Sequence, residues 1–128
     1  MATRSRIGIE LKNGSILSVY HHWDGYPEWL GRILNTHYND RAKVAELIDG
    51  GDMSTCWSED HKPEYYSARG EEYQPPRLDK DLCEYLLPDN SEEYAYVFRG
   101  GQWVCYNMHE FDEQLPEVVE IPDGALMA

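Results

Sequence analysis

Residues 6–20, with the sequence RIGIELKNGSILSVY, decide the fold predicted for this chain. Apolar side chains alternate with other residues on both sides of Asn13-Gly14. Alternation is typical of half-buried strands, and Asn-Gly favours a two-residue type I′ turn because both of its residues tolerate positive φ. The stretch therefore predicts a β-hairpin.

A second hairpin is predicted toward the C-terminus. Residues 93–98 (EYAYVF) and 102–106 (QWVCY) are aromatic and β-branched runs on either side of Gly100-Gly101. The two glycines supply the positive φ that a tight turn needs. Apolar residues within 118–121 favour one further short edge strand.

The segment between the hairpins contains the predicted helices. Apolar side chains recur at helical spacing over 27–38, where Pro27 suits a first helical turn, and over 41–49, for which Asn39-Asp40 offers an N-cap. A third, short helix is predicted within 78–86. Residues 52–77 lack periodicity and are expected to form an ordered, aromatic loop that has a function or covers the sheet.

Two hairpins separated by helices indicate an α+β fold, with an antiparallel sheet of about four strands and two or three short helices on one face. A length of 128 residues suits one domain, so a single domain over 1–128 is expected. The first residues are not followed by the apolar run of a signal peptide, and no membrane span is evident. The protein is therefore expected to stay in the cell that makes it.

The charge of the chain restricts its partners. Aspartate and glutamate outnumber lysine and arginine by 24 to 11, which gives a net charge of -13. Such a field repels nucleic-acid phosphates and anionic membranes, and it favours partners with basic surfaces. The acidic residues occur in clusters, which form either a solvated face or an imitation of a nucleic-acid backbone: Glu71-Glu72, Asp79 to Asp81, Glu92-Glu93, Glu110 to Glu113 and Glu117 to Asp123.

Motifs of metal binding and covalent catalysis are missing from the sequence. The three cysteines are widely spaced and are expected to be reduced thiols, mostly buried. There is no C-x-x-C or H-x-x-x-H pair, no Gly-x-Ser-x-Gly elbow and no phosphate-binding glycine loop. No metal, cofactor or enzymatic activity is predicted.

The stretch 18–29, SVYHHWDGYPEW, joins the first hairpin to the first helix and concentrates polar aromatic groups. It is either a hydrogen-bonded corner or a binding surface, because imidazole, indole and carboxylate groups all need partners. Asp24 could orient His22 or act as a general base. Asp-Gly also suits a tight turn in which Asp24 accepts backbone N–H groups and Gly25 takes positive φ.

The aromatic loop offers a second candidate region. With Arg69 it could form a pocket for a planar or nucleotide-like ligand, or its tyrosines could cover one face of the sheet. The candidate binding residues come from this loop and from the preceding corner: His22, Trp23, Asp24, Tyr26, Trp57, Tyr65, Tyr66 and Arg69.

The order of several motifs resembles a family of small proteins carried by tailed bacteriophages and prophages. The similar segments are RIGI at 6–9, SVY at 18–20, HWDGYP at 22–27, LIDGGDMS at 47–54, YYSARGE at 65–71 and YVFRGGQWV at 96–104. The resemblance spans most of the chain. It implies a phage origin and a location in the cytoplasm of the infected bacterium, and it names no reaction.

Charge and resemblance together favour a phage accessory protein that binds and modulates a bacterial host or defence factor. Such a protein would be an acidic inhibitor that imitates nucleic acid, such as an anti-CRISPR. One alternative is a binding protein that sequesters a nucleotide with Arg69, Tyr65, Tyr66 and the 22–24 corner. A third hypothesis is an enzyme that uses His22 and Asp24. Direct binding to nucleic acid or membranes is not expected.

Overall fold

The structure is a computed structural model that describes residues 3–56, 62–86, 92–112 and 115–121. One sheet contains eight strands. The strands are β1 (Ser5–Glu10), β2 (Ile16–His21), β3 (Met53–Thr55), β4 (Glu64–Tyr65), β5 (Arg77–Asp79), β6 (Tyr94–Arg99), β7 (Gln102–Asp112) and β8 (Leu115–Val119). The α-helices are α1 (Arg32–His37), α2 (Arg41–Asp49) and α3 (Leu82–Tyr85). A π-helical turn, Pro27–Gly31, directly precedes α1, and Ser67–Arg69 forms a short 3-10 turn.

The sheet is larger than predicted and is mixed rather than antiparallel. Its strand order is β4-β3-β2-β1-β6-β7-β8, with β5 also paired to β2. The two hairpins are joined by a parallel pairing of β1 with β6, and β2 pairs in parallel with β3. Three strands arise from segment 52–79, most of which was expected to be a loop. These strands have only two or three residues each, too few to produce a visible period in the sequence.

The first hairpin is confirmed, and its turn differs from the prediction. β1 and β2 pair in antiparallel register from Ser5 opposite His21 to Glu10 opposite Ile16. The Leu11 N–H then donates to the Ser15 carbonyl at 2.8 Å, so three residues form the loop. In this loop positive φ occurs at Gly14 (88°) and not at the residue before it. The geometry is therefore not a two-residue type I′ turn, in which both central residues have positive φ.

The predicted helices are all present. The π-helical turn and α1 together occupy the 27–38 prediction, and α2 matches 41–49. An Asp40 carboxylate oxygen accepts from the Lys43 N–H at 2.9 Å, which is the expected N-cap. α3 is shorter than the stretch predicted for it. In the described parts of the chain, no helix has the length and apolar character needed to span a membrane.

Both faces of the sheet are covered, which corrects the prediction that all helices lie on one face. The larger core packs α1 and α2 against one face and includes Ile7, Val19, Leu34, Leu47 and Tyr96. The smaller core covers the opposite face with Tyr85 and Leu86 from the α3 region, against Ile16, Ala95 and Val97. α3 lies on the second face because the side chains of β6 alternate between the two cores, and both sets are apolar.

Candidate functional site

The aromatic corner, defined here as residues 22–26, continues the edge of β2 before it turns toward the π-helical segment. The N–H groups of His22 and Trp23 donate to the carbonyls of Met53 and Ser54 at 3.3 and 2.9 Å. Asp24 then adopts a φ of 57°, and the Gly25 N–H donates to the Thr3 carbonyl at 2.8 Å. The corner is thus held by backbone hydrogen bonds on both sides of its bend.

Gly25 is required by close packing rather than by its φ. Positive φ at the corner falls on Asp24, which corrects the expectation for Gly25. A Cβ at Gly25 would lie 2.7 Å from the Thr3 carbonyl oxygen and 2.8 Å from the Ser5 Cβ. The Tyr96 hydroxyl donates to the Gly25 carbonyl at 2.7 Å from the buried side of the sheet. The backbone of the corner is therefore a structural anchor.

The side chains of the corner lie at the protein surface, on the backbone that these hydrogen bonds hold in place. The Tyr20 hydroxyl is hydrogen-bonded to His22 Nδ1 at 2.8 Å. The Trp23 indole packs edge-on against His22, with ring centroids 4.7 Å apart, and 45% of Trp23 is exposed. Asp24 is exposed and Tyr26 is half-buried. The corner therefore presents an exposed indole on a fixed backbone.

The histidine next to the corner, His21, has a different environment. Its ring is completely buried, and its Nε2 accepts from the Cys56 N–H at 3.0 Å. Nδ1 therefore carries the proton and donates to Ser5 Oγ at 3.2 Å. Burial, followed by the nearby His22, lowers the pKa of His21 to about 3. The neutral ring of His21 on β2 thus links Ser5 on β1 to Cys56, the residue after β3, through two hydrogen bonds.

The structure separates the candidate residues of the aromatic loop. Tyr65 lies in a groove beside α2, where its hydroxyl donates to the Leu47 carbonyl at 2.6 Å. Tyr66 lines a second groove with Asp52 and three polar residues. Arg69 ends the 3-10 turn, but the position of its side chain is outside the described structure, and Trp57 is outside the described residues.

Tyr20 connects the corner to the second groove, a link that the sequence analysis missed. An Asp52 carboxylate oxygen accepts from the Tyr20 N–H at 2.9 Å, at the point where β2 changes partner from β5 to β3. Burial raises the pKa of both Tyr20 and Asp52. Tyr20 is therefore hydrogen-bonded to His22 on one side and to Asp52, which lines the second groove with Tyr66, on the other.

A buried arginine lies beneath this surface and was also missed. Arg6 is 5% exposed, and its Nε and Nη2 donate to Ser18 Oγ and the Ser18 carbonyl at 3.0 and 3.1 Å. Its Nη1 lies 4.0 Å from Oε1 of the buried Glu92. Burial, and then Arg77, lower the pKa of Arg6. Since side chains alternate along β1, Arg6 lies on the face opposite Ile7, which is the face that Tyr85 and Leu86 cover.

The two buried thiols have little reactive character. Cys56 and Cys105 are buried, and burial raises the pKa of each thiol to about 12, whereas Cys83 is exposed. A thiol with a raised pKa contains almost no thiolate, the form that acts as nucleophile or metal ligand. Among the described residues, no group of three or more His, Cys, Asp or Glu side chains is arranged to hold a metal ion.

Comparison with known proteins adds no family to these observations. Comparisons with protein-family models, curated proteins and solved structures found no match to the chain. Function is therefore inferred from the corner, the two grooves and the charge of the chain.

Proposed function

We propose that this protein is a non-enzymatic phage accessory protein that binds a bacterial protein with a basic surface. In this proposal it acts in the cytoplasm of the infected bacterium and modulates a host or defence complex by imitating nucleic acid. The observation that carries the proposal is the net charge of -13. A field of this strength speeds association with a cationic groove and opposes binding to nucleic acid itself.

The last strands of the sheet concentrate this charge. Segment 107–121 contains Glu110, Asp112, Glu113, Glu117 and Glu120 and no lysine or arginine. Most of this segment belongs to β7 and β8, and β8 is the terminal strand in the sheet order. An acidic segment at the end of the sheet order suits a basic partner in this proposal.

The corner supplies the second element of such an interface. Trp23 is an exposed large aromatic on a backbone that is fixed by hydrogen bonds to Thr3, Ser54 and Tyr96. Tryptophan is enriched among the residues that dominate binding energy, and a rigid backbone lowers the entropic cost of using one. The proposal therefore assigns rapid association to the acidic strands and anchoring to Trp23.

The chemistry of the described side chains supports binding rather than catalysis. His21 is neutral and fully hydrogen-bonded, and the thiols of Cys56 and Cys105 are protonated at neutral pH. The enzyme hypothesis therefore rests on His22 and Asp24. It requires turnover that is lost in His22→Ala while the melting temperature is retained.

Affinity capture from a bacterial lysate at low and moderate salt tests the proposal. Glu117→Lys/Glu120→Lys and the control Glu71→Lys/Glu72→Lys each raise the net charge by four, from -13 to -9. We expect one basic protein to be retained at low salt, released by moderate salt, and lost with the first variant but not with the control. Equal retention by all three proteins would contradict an acidic docking surface, and capture of a nucleotide alone would favour the ligand hypothesis.

A further inference from the structure

A groove of about 430 Å³ lies between α2, the end of α1 and segment 62–65. Its volume is within the range typical of small-ligand sites. Tyr38 and Tyr65 contribute aromatic walls, and the buried Leu47 contributes an apolar floor. The groove is independent of the acidic strands and of the aromatic corner on which the proposed function rests.

The walls of the groove are held by hydrogen bonds and close packing within the chain. The Tyr65 hydroxyl donates to the Leu47 carbonyl at 2.6 Å, and the Tyr65 ring packs so closely on Gly50 that a Cβ there would overlap it. The carbonyl of Tyr38 accepts from the Trp103 indole N–H at 2.8 Å. A planar ligand would therefore meet preorganised surfaces, which lowers the entropic cost of binding.

The rim offers one cation and one anion from the same face of α2. Lys43 and Glu46 are three residues apart, and Leu47 follows Lys43 by four, so helical geometry places all three beside the groove. Both rim residues are exposed, and Lys43 is only loosely paired, with its Nζ 3.8 Å from an Asp40 oxygen. A ligand between them can accept a hydrogen bond from the ammonium and donate one to the carboxylate.

We propose that this groove binds the heteroaromatic base of a nucleoside or nucleotide. Nucleobases are planar and present donors and acceptors at their edges, which matches stacking on tyrosine between an ammonium and a carboxylate. The net charge of the chain disfavours a nucleic-acid strand as the source of the base. The ligand is therefore a free small molecule.

The test titrates the full chain with adenosine, guanosine, cytidine, uridine and their 5′-monophosphates, followed by amide chemical shifts in NMR. We expect at least one base to bind saturably, with shifts concentrated in residues 37–50 and 62–65. Glu46→Gln should weaken that binding about tenfold or more, because a hydrogen bond to a charged group is replaced by a neutral one. Lys43→Ala should weaken it as well, and the wild-type affinities for nucleoside and monophosphate identify the preferred form.

Arg41→Ala is the matched control, since Arg41 is exposed on the same helix and does not line the groove. It should leave the affinity unchanged. Melting temperatures of the three variants show whether the fold is retained, which is expected because all three side chains are exposed. The proposal is overturned if none of the eight compounds binds saturably below the millimolar range. It is also overturned if the affinity is the same in wild type, Lys43→Ala and Glu46→Gln.

Discussion

Replacing His21 with glutamine should flatten the dependence of stability on pH between 6.5 and 5. Burial lowers the pKa of His21 to about 3 in the folded protein, whereas the ordinary pKa of a histidine side chain is 6.5. Because the folded pKa is depressed, the neutral ring contributes stability that is fully present above pH 6.5. That stability is lost as the pH falls toward 3, since the unfolded chain then binds a proton that the folded protein excludes.

The size of the effect follows from the pKa difference. Each pH unit below 6.5 costs roughly 1.4 kcal/mol of unfolding free energy, so acidification from pH 6.5 to 5 should cost about 2 kcal/mol through His21 alone. The amide of glutamine does not titrate in this range. His21→Gln should also lose roughly 1–3 kcal/mol at neutral pH, because the hydrogen bonds to Ser5 and Cys56 are replaced imperfectly.

Urea denaturation at half-unit pH intervals measures both the pH dependence of the unfolding free energy and the loss of stability at neutral pH. The stability gap between wild type and His21→Gln should narrow by about 2 kcal/mol from pH 6.5 to 5. Parallel pH profiles for wild type and His21→Gln would refute the assignment of a buried neutral ring. NMR of the His21 imidazole, with a proton on Nδ1 and no titration above pH 5, checks the same point if the variant fails to fold.

Three other perturbations test the anchors and the cores. Gly25→Ala should destabilise the fold by about 2–4 kcal/mol in urea denaturation, because the added Cβ would overlap the Thr3 carbonyl. A change below about 0.5 kcal/mol would show that the corner adapts to the added methyl group. Tyr96→Phe should cost about 1–3 kcal/mol, because the buried Gly25 carbonyl loses its donor, and unchanged stability would show that the carbonyl finds another donor. In the native protein a thiol reagent should label Cys83 quickly and the two buried cysteines only on unfolding, whereas rapid labelling of three thiols would contradict their burial.

The hairpins and helices were predictable because their signals are local. A turn glycine between alternating runs, or apolar residues at helical spacing, is visible within about ten residues of sequence. The short strands β3, β4 and β5 have no such signal. Each exists only because a distant edge is available, as when Met53 pairs with His21 and Arg77 pairs with Ser18. The size of the sheet and the direction of its strands could therefore not be predicted from the periodicity of the sequence.

The arrangement of side chains around the candidate site could be predicted only in part from the sequence. Side chains alternate across a strand, so Leu17, Val19 and His21 share one face of β2. This parity identifies His21, rather than His22, as the histidine of the core, although it does not reveal its partner Cys56. By the same parity Arg6 faces away from Ile7. Its burial depends on the α3 region, which covers that face from more than seventy residues away in sequence.

A structural corner and a binding surface, which the sequence leaves as alternatives, are compatible roles in this geometry. Backbone groups of the corner are hydrogen-bonded to Thr3, Ser54 and Tyr96, while Trp23 is 45% exposed. An anchored backbone is what makes an exposed indole useful, because little conformational entropy remains to be lost on binding. In the proposed function the two parts of the interface then have separable kinetic effects. Charge reversal on the last strands would slow association and reduce its salt dependence, whereas removal of the indole would accelerate dissociation.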